Sequence, residues 1–441
     1  MKAQNYFFLG IGGIGNSALA KHFKKQGALV AGYDKVKTEL TADLEKGAIK
    51  VLYAFTPDIL PDFVTAESTL IVCTAAIKEN DIWYCFFKDN GFEIQKRAVV
   101  LADLANNQKC IAVAGTHGKT TTLAILTHIF CTARQSFTAF VGGVLEGYNS
   151  NYLSTGMEYV LVEADEFDRS FLHLNPDYAA ITTVDPDHLD IYNTAEAFTE
   201  TFSRFAGQVK NPPVLGPNVT LNGLSVGEEV SSTYWMDSLI LVKGGYKADF
   251  YLDSEESTSF FISVLGKHNL FNSLMAAALA HQIGIPKETI GKALSTFKGI
   301  QRRMQILEWK PGHSIIDGYA HHPTEIKAVY STLQERYANA HKTVIFQPHL
   351  YSRTQDFFED FAEVLCLFDS VYLLPIYPAR ELPIDGVTSQ ALLEKMDHPH
   401  KALLKKEEAL QRIANLPPGV VALLGAGDIG LMASAFKKIA V

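Results

Sequence analysis

The stretch that most narrows the possible folds runs from residue 110 to 130: an apolar strand-like segment, Cys110-Ile-Ala-Val-Ala114, then Gly115-Thr-His-Gly-Lys-Thr-Thr121, then an apolar helical run. A buried strand that turns through glycines into a helix belongs to α/β folds, and such a turn aims backbone N–H groups at any anion lying on the helix N-terminus. Gly115 and Gly118 present no side chain to an approaching phosphate. Lys119 carries charge for β/γ-phosphates, and the Thr120 hydroxyl suits Mg²⁺. Gly115, Thr116, His117, Gly118, Lys119, Thr120 and Thr121 are therefore expected to bind a nucleoside triphosphate, ATP being the reading taken. The loop is shorter than a standard P-loop, because Val113 stands where the first glycine would be.

A chain of 441 residues exceeds what one hydrophobic core usually supports, so about three domains are expected. With 47% hydrophobic and 20% charged residues it has the means to bury sizeable cores. Its 48 acidic and 39 basic residues give a net charge of −9, which argues against nucleic acid as a partner. The five cysteines, Cys73, Cys85, Cys110, Cys131 and Cys366, lack metal-ligand spacing and read as reduced thiols. No signal peptide pattern follows Met1 and no apolar run reaches about 18 residues, so the expectation is a soluble, cytoplasmic protein with no membrane partner.

The first segment opens with the strand-like Asn5-Tyr-Phe-Phe-Leu9, then Gly10-Ile-Gly12-Gly13-Ile-Gly15, a helix to about Gln26, and a second strand over 28–33 that ends in Asp34. This βαβ pattern, with glycines at its first turn and an acid after its second strand, fits NAD or any other nucleotide diphosphate. A polar stretch at 106–109 reads as a linker. Residues 158–163 and 178–185 read as further buried strands, each ending in acids. Short alternating runs at 238–242 and 259–264 suggest a small β insertion, and 268–281 an alanine-rich helix. Beyond Gly299 the runs 314–317, 342–346, 370–374 and 419–424 alternate with helical patterns, predicting a doubly wound C-terminal domain. The expected divisions are 1–105, a Rossmann-like domain; 106–299, a central P-loop ATPase domain with the β insertion; and 300–441.

Acids at strand ends face the ligand edge of an open α/β sheet. Thr120, Glu163 and His188 are the expected Mg²⁺ ligands, since Mg²⁺ takes few protein ligands and a triphosphate needs its charge offset. Asn269 and Asn272 share a helical face and could meet a base or ribose, although on spacing alone Asn269 reads as a helix N-cap and His268 as solvated. In the last third, Asp317-Gly-Tyr-Ala-His321-His322 and Phe346-Gln-Pro-His349 with Arg353 follow strands. Such clusters suit an anionic group and proton transfer, or form satisfied polar loops.

Together these stretches resemble the Mur ligase family across nearly the whole chain. The resemblance is carried by Gly10-Ile-Gly-Gly-Ile-Gly15, Ala114-Gly-Thr-His-Gly-Lys-Thr-Thr-Thr122, Glu163-Ala-Asp-Glu166, Asp187-His-Leu-Asp190, His268-Asn269 with Asn272, Arg302-Arg303, Tyr319-Ala-His-His-Pro-Thr-Glu325, Phe346-Gln-Pro-His349 with Tyr351-Ser-Arg-Thr354, and Gly425-Ala-Gly-Asp428. The His-His-Pro-Thr-Glu and Phe-Gln-Pro-His stretches point to its alanine-adding branch. The resemblance implies ATP-dependent joining of L-alanine to the lactyl carboxylate of UDP-N-acetylmuramate through an acyl phosphate. It moves Gly10, Gly12, Gly13, Gly15, Asp34 and Thr74 to UDP-sugar binding, and makes His268, Asn269 and Asn272 nucleotide contacts. Arg303 and Asp317 would reach ATP, and His349 and Arg353 the incoming amino acid; Lys119, Glu163, His188, His349 and Arg353 form the implied catalytic set.

Three positions depart from the family pattern. Gly318 stands where a second aspartate is usual, Leu350 where arginine is frequent, and Thr183 where asparagine is frequent. A recycling ligase that adds a tripeptide to the same nucleotide sugar, an NAD-dependent dehydrogenase built on the first glycine turn, and a non-catalytic UDP-sugar-binding protein are the rival readings.

Overall fold

The computed structural model describes residues 5–439 apart from 186–191, 193, 254–255, 311 and 380. Among the described residues the strands form three sheets. The first is built from β1 (Asn5–Leu9), α1 (Ile14–Lys25), β2 (Leu29–Tyr33), α2 (Glu39–Lys46), β3 (Lys50–Leu52), β4 (Thr69–Cys73), α3 (Ile82–Asp89), β5 (Glu93–Lys96) and α4 (Arg97–Asn106). Its order is β3-β2-β1-β4-β5, all parallel. Successive side chains on a strand point to opposite faces. Phe7 and Leu9 accordingly pack on Trp83 and Phe87 of α3, whereas Phe8 joins Ala18 and Leu19 of α1 and Val100 and Leu101 of α4.

The second sheet begins with β6 (Lys109–Ala114), α5 (Lys119–Thr132), β7 (Phe137–Leu145), β8 (Ser150–Ser154), β9 (Tyr159–Glu163), β10 (Tyr178–Ile181), α6 (Ala195–Gln208) and β11 (Val214–Leu215). It continues through β12 (Leu224–Gly227), β13 (Tyr234–Val242), β14 (Gly245–Tyr251) and β15 (Ser257–Ile262), followed by α7 (Lys267–Gln282) and α8 (Lys287–Thr296). The order is β15-β14-β13-β12-β11-β10-β6-β9-β7-β8, so β6 lies between β10 and β9 and pairs in parallel with both. The predicted insertion strands are present as β12 to β15, and the alanine-rich helix as α7. The first two sheets share one apolar core, in which Phe8 and Val72 belong with Ala112, Val160 and Phe198. Apart from the β13–β14 turn, both sheets belong to one compact unit, residues 1–241, 247–262 and 271–298.

The second unit contains residues 242–246, 263–270 and 299–441. Its sheet comprises β16 (Gln305–Lys310), β17 (His313–Gly318), α9 (Pro323–Arg336), β18 (His341–Phe346), α10 (Tyr351–Asp356), α11 (Phe358–Leu365), β19 (Ser370–Leu373), α12 (Ser389–Lys395), β20 (Lys401–Leu403), α13 (Lys406–Ala414), β21 (Gly419–Leu424) and α14 (Gly430–Ile439). The order is β16-β17-β21-β18-β19-β20, with β16 antiparallel to β17 and the others parallel. Alternation again assigns the faces: Ile316, Val420 and Ala422 pack with Ile326 of α9 and Phe361 of α11, whereas Ile315, Val421 and Leu423 pack with Ala409 and Ile413 of α13. Helices on both faces make this unit doubly wound. All five cysteines are free thiols, and no helix among the described residues is long and apolar enough to cross a membrane.

Candidate active site

The phosphate loop leaves the carboxyl end of β6, with the ends of β9 and β10 on either side. Gly115 has φ +127°, and a Cβ there would lie 2.1 Å from Thr182 Oγ1 and 2.8 Å from the Thr183 nitrogen. Gly118 has φ +83° and caps α5, whose first turn holds no acid. A Cβ on it would meet Asn272 Oδ1 at 2.5 Å. The two glycines are thus required by close approach as well as by backbone conformation. The segment after β10 straps the loop: Thr116 N–H donates to Thr183 O at 3.0 Å, Thr116 Oγ1 to Asp185 O at 2.7 Å, and His117 N–H to Thr183 Oγ1 at 2.9 Å. Thr183 therefore has a defined task, holding the loop backbone with a hydroxyl.

Lys119 Nζ lies 2.6 Å from Glu166 Oε2 and donates to Gly115 O at 2.5 Å. Burial pushes Glu166 up to about 7, with Lys119 pulling the other way. Burial works against the Lys119 ammonium, but Glu166, Asp165 and Glu163 outweigh it and raise its pKa. Glu163 closes β9 and accepts from Gly142 N–H at 2.6 Å; a Cβ on Gly142 would be 2.5 Å from its carboxylate. Thr120 is buried on the first turn of α5. Thr120 and Glu163 offer hard oxygen donors of the kind Mg²⁺ takes. The third expected ligand, His188, lies outside the described residues; among those described no three His, Cys, Asp or Glu side chains gather into a metal site.

In the first sheet the strand order reverses between β1 and β4, the crevice where open α/β sheets hold ligands. The turn carrying Gly10, Gly12, Gly13 and Gly15 follows β1, and Thr74 follows β4. A Cβ on Gly10 would be 2.7 Å from Thr74 Cγ2. Asp34 shapes the turn itself, accepting from Gly12 N–H at 2.8 Å and Val36 N–H at 3.2 Å. Arg97, which the sequence reading did not select, packs on Gly15: a Cβ there would meet its Nη1 at 2.9 Å.

The start of α7 corrects one local expectation. The helix begins at Lys267, so Asn269 sits inside its first turn instead of capping it, and its Nδ2 donates to Leu265 O at 2.8 Å. Asn272 braces the phosphate loop, its Oδ1 accepting from Thr122 Oγ1 at 3.2 Å. His268 is half-buried, and burial lowers its pKa to about 4 against the pull of Glu325, so the ring is neutral at pH 7.

In the C-terminal unit Asp317 is buried near the end of β17, and the Arg303 guanidinium lies 5.4 Å from the Tyr319 ring. At Gly318 a Cβ would sit 2.7 Å from Leu424 Cδ2, so a larger residue there needs the tip of that leucine to shift. Leu350 is buried at φ +71°, and its N–H donates to Tyr377 O at 3.0 Å. His349 stacks on Tyr377 with centroids 5.7 Å apart and lies 6.0 Å from the His321 ring, while buried Arg353 follows one turn later on α10. His322 caps α9, its Nδ1 accepting from Thr324 N–H at 3.3 Å. Gln347 ties two of the quoted motifs together, donating to Asp428 Oδ1 at 2.7 Å and accepting from Ile429 N–H at 3.0 Å.

A phosphate-gripping loop, a nucleotide-type crevice and a doubly wound C-terminal unit are the parts of a nucleotide-dependent ligase of the α/β class. Family models match residues 5–109 (Mur ligase family, catalytic domain), 113–280 (Mur ligase middle domain) and 302–429 (Mur ligase, glutamate ligase domain). The chain belongs to the Mur ligase family, whose members are ATP-dependent ligases that form C–N bonds. Its relatives include the UDP-N-acetylmuramate--L-alanine ligases of Flavobacterium psychrophilum, 43% identical over 98% of this chain and 97% of that protein, and of Christiangramia forsetii, 44% identical over 99% and 97%. Among solved structures, the UDP-N-acetylmuramate-alanine ligase of Thermotoga maritima superposes with a TM-score of 0.83 at 27% identity, covering 98% of each chain. A murein peptide ligase from Psychrobacter arcticus shares the fold, with a TM-score of 0.75 at 21% identity over 99% of this chain and 98% of that one.

Proposed function

We propose that this chain joins L-alanine to the lactyl carboxylate of UDP-N-acetylmuramate, cleaving ATP to ADP and phosphate, as a cytoplasmic step of peptidoglycan synthesis. The observation that carries the reading is the loop between β6 and α5, where Gly115 and Gly118 take positive φ ahead of the helix N-terminus and Lys119, Thr120 and Glu163 offer charge and oxygen donors. The near full-length relatives named for alanine addition support the choice of substrates. On this reading residues 1–105 bind the UDP-sugar through Gly10, Gly12, Gly13, Gly15, Asp34 and Thr74. Residues 106–299 bind ATP through 115–121 and Asn272. Residues 300–441 bring His349 and Arg353 to the amino acid and Arg303 and Asp317 to the nucleotide, with His268 and Asn269 as further nucleotide contacts.

A carboxylate is a poor electrophile, and ATP supplies the phosphoryl group that turns it into an acyl phosphate with a good leaving group. Lys119 neutralises charge on the terminal phosphates, and the loop N–H groups fix their position before reaction. Thr120 and Glu163, with His188, would hold Mg²⁺. On this reading Arg353 pairs the alanine carboxylate and His349 serves the amine. The test is incubation with UDP-N-acetylmuramate, ATP and Mg²⁺, with L-alanine or with the peptidoglycan tripeptide, reading product mass and phosphate. Alanyl product is expected; product from tripeptide alone would transfer the chain to the recycling reaction, and sugar binding without phosphate release would make it a binding protein.

A further inference from the structure

Lys119 is the one ammonium the phosphate loop contributes, and it is already engaged. Its partner Glu166 has a side chain only 3% exposed, with the two charges 2.6 Å apart. The Glu166 backbone is pinned as well: its carbonyl accepts from Tyr192 Oη at 2.5 Å and from Arg169 N–H at 3.0 Å. The carboxylate is therefore held in place by structure outside the loop. A paired lysine and carboxylate present almost no net charge, so an arriving polyphosphate meets a loop whose main positive group is cancelled. The ammonium is also drawn back onto Gly115 O, toward the loop's own carbonyls.

Building on the nucleotide reading above, we propose that Glu166 is a positioning residue that holds Lys119 back, so that a nucleotide must take the ammonium from it. Its consequence is weakened retention of the diphosphate product. With Mg²⁺ bound to each, a triphosphate carries one more negative charge than a diphosphate with which to compete for the ammonium, so the device favours exchange of Mg-ADP for Mg-ATP.

The experiment measures ADP, ATP and inorganic triphosphate binding by calorimetry for wild type, Glu166→Asp and Glu166→Gln. Glu166→Gln keeps the shape and removes the charge, and its ADP dissociation constant should fall roughly tenfold or more. Its KM for ATP should fall together with kcat as ADP release slows, while UDP-N-acetylmuramate affinity stays unchanged. Glu166→Asp, with its carboxylate withdrawn by one methylene, should bind ADP with intermediate affinity; this arm stands alone if the glutamine variant does not fold. ADP affinity equal to or weaker than wild type in a folded variant overturns the proposal. A wild type that binds neither adenine nucleotide overturns the nucleotide reading and this inference together.

Discussion

At Gly115 a single methyl group decides the matter. Its Cβ would occupy space held by Thr182 Oγ1 and the Thr183 backbone, at a φ that L-residues rarely adopt. Gly115→Ala should lower stability by about 2 kcal/mol or more and abolish ATP binding, measured by chemical denaturation and calorimetry; a stable variant with normal ATP affinity would contradict the packing argument. Lys119→Ala should reduce turnover at least a hundredfold while UDP-N-acetylmuramate binding stays near wild type, because the proposed function assigns the two ligands to different sheets. Glu163→Gln keeps an oxygen for Gly142 N–H but loses the charge a divalent ion needs. The Mg²⁺ concentration for half-maximal rate should rise about tenfold, and an unchanged Mg²⁺ titration would remove Glu163 from the ligand set. The glycines and Lys119 were legible in the sequence because strand, turn and helix are local patterns. Glu166 stood inside a motif already singled out, yet its pairing with Lys119 depends on β9 lying beside β6, a register that no local pattern states. The neighbour of Gly318 was hidden in the sequence for the same reason, since the side chain a larger residue would displace is Leu424, brought alongside by β21.

At the scale of elements, α1 packs on β7 and β8 through His22, which is buried beside the Phe140 ring and has Nδ1 3.2 Å from Tyr152 Oη. Burial, helped by Lys25, lowers its pKa to about 4. The folded value lies below the unfolded one, so the unfolded chain binds more protons between them. The contribution is complete above about pH 6.5 and is lost as pH falls toward 4, up to about 3 kcal/mol. His22→Gln should flatten the acid side of the stability profile, read from urea midpoints at pH 7 and pH 5; an equally steep loss would assign the acid sensitivity elsewhere. Strand and helix positions followed apolar periodicity closely, since that signal is repeated over many residues. The β6 and β21 segments are both found as read. Asn269 was harder, because the helix starts two residues earlier on Lys267, and helix starts without a strong capping side chain leave little trace in sequence.

For the whole molecule, the three sheets among the described residues answer to three family domains, and the first two share one apolar core. A linker read from polar residues at 106–109 marks where one sheet gives way to the next, but polarity of a connection says nothing about what packs beneath it. The substrates lie beyond what the fold alone can specify, as one architecture hosts ligases of several peptides. The most direct measurement is therefore ADP release by the purified chain with Mg²⁺ and UDP-N-acetylmuramate, surveyed across the twenty amino acids and the tripeptide. Release that requires L-alanine and yields the alanyl nucleotide sugar is the result this account predicts. No release with any amine, or release only with the tripeptide, would contradict it.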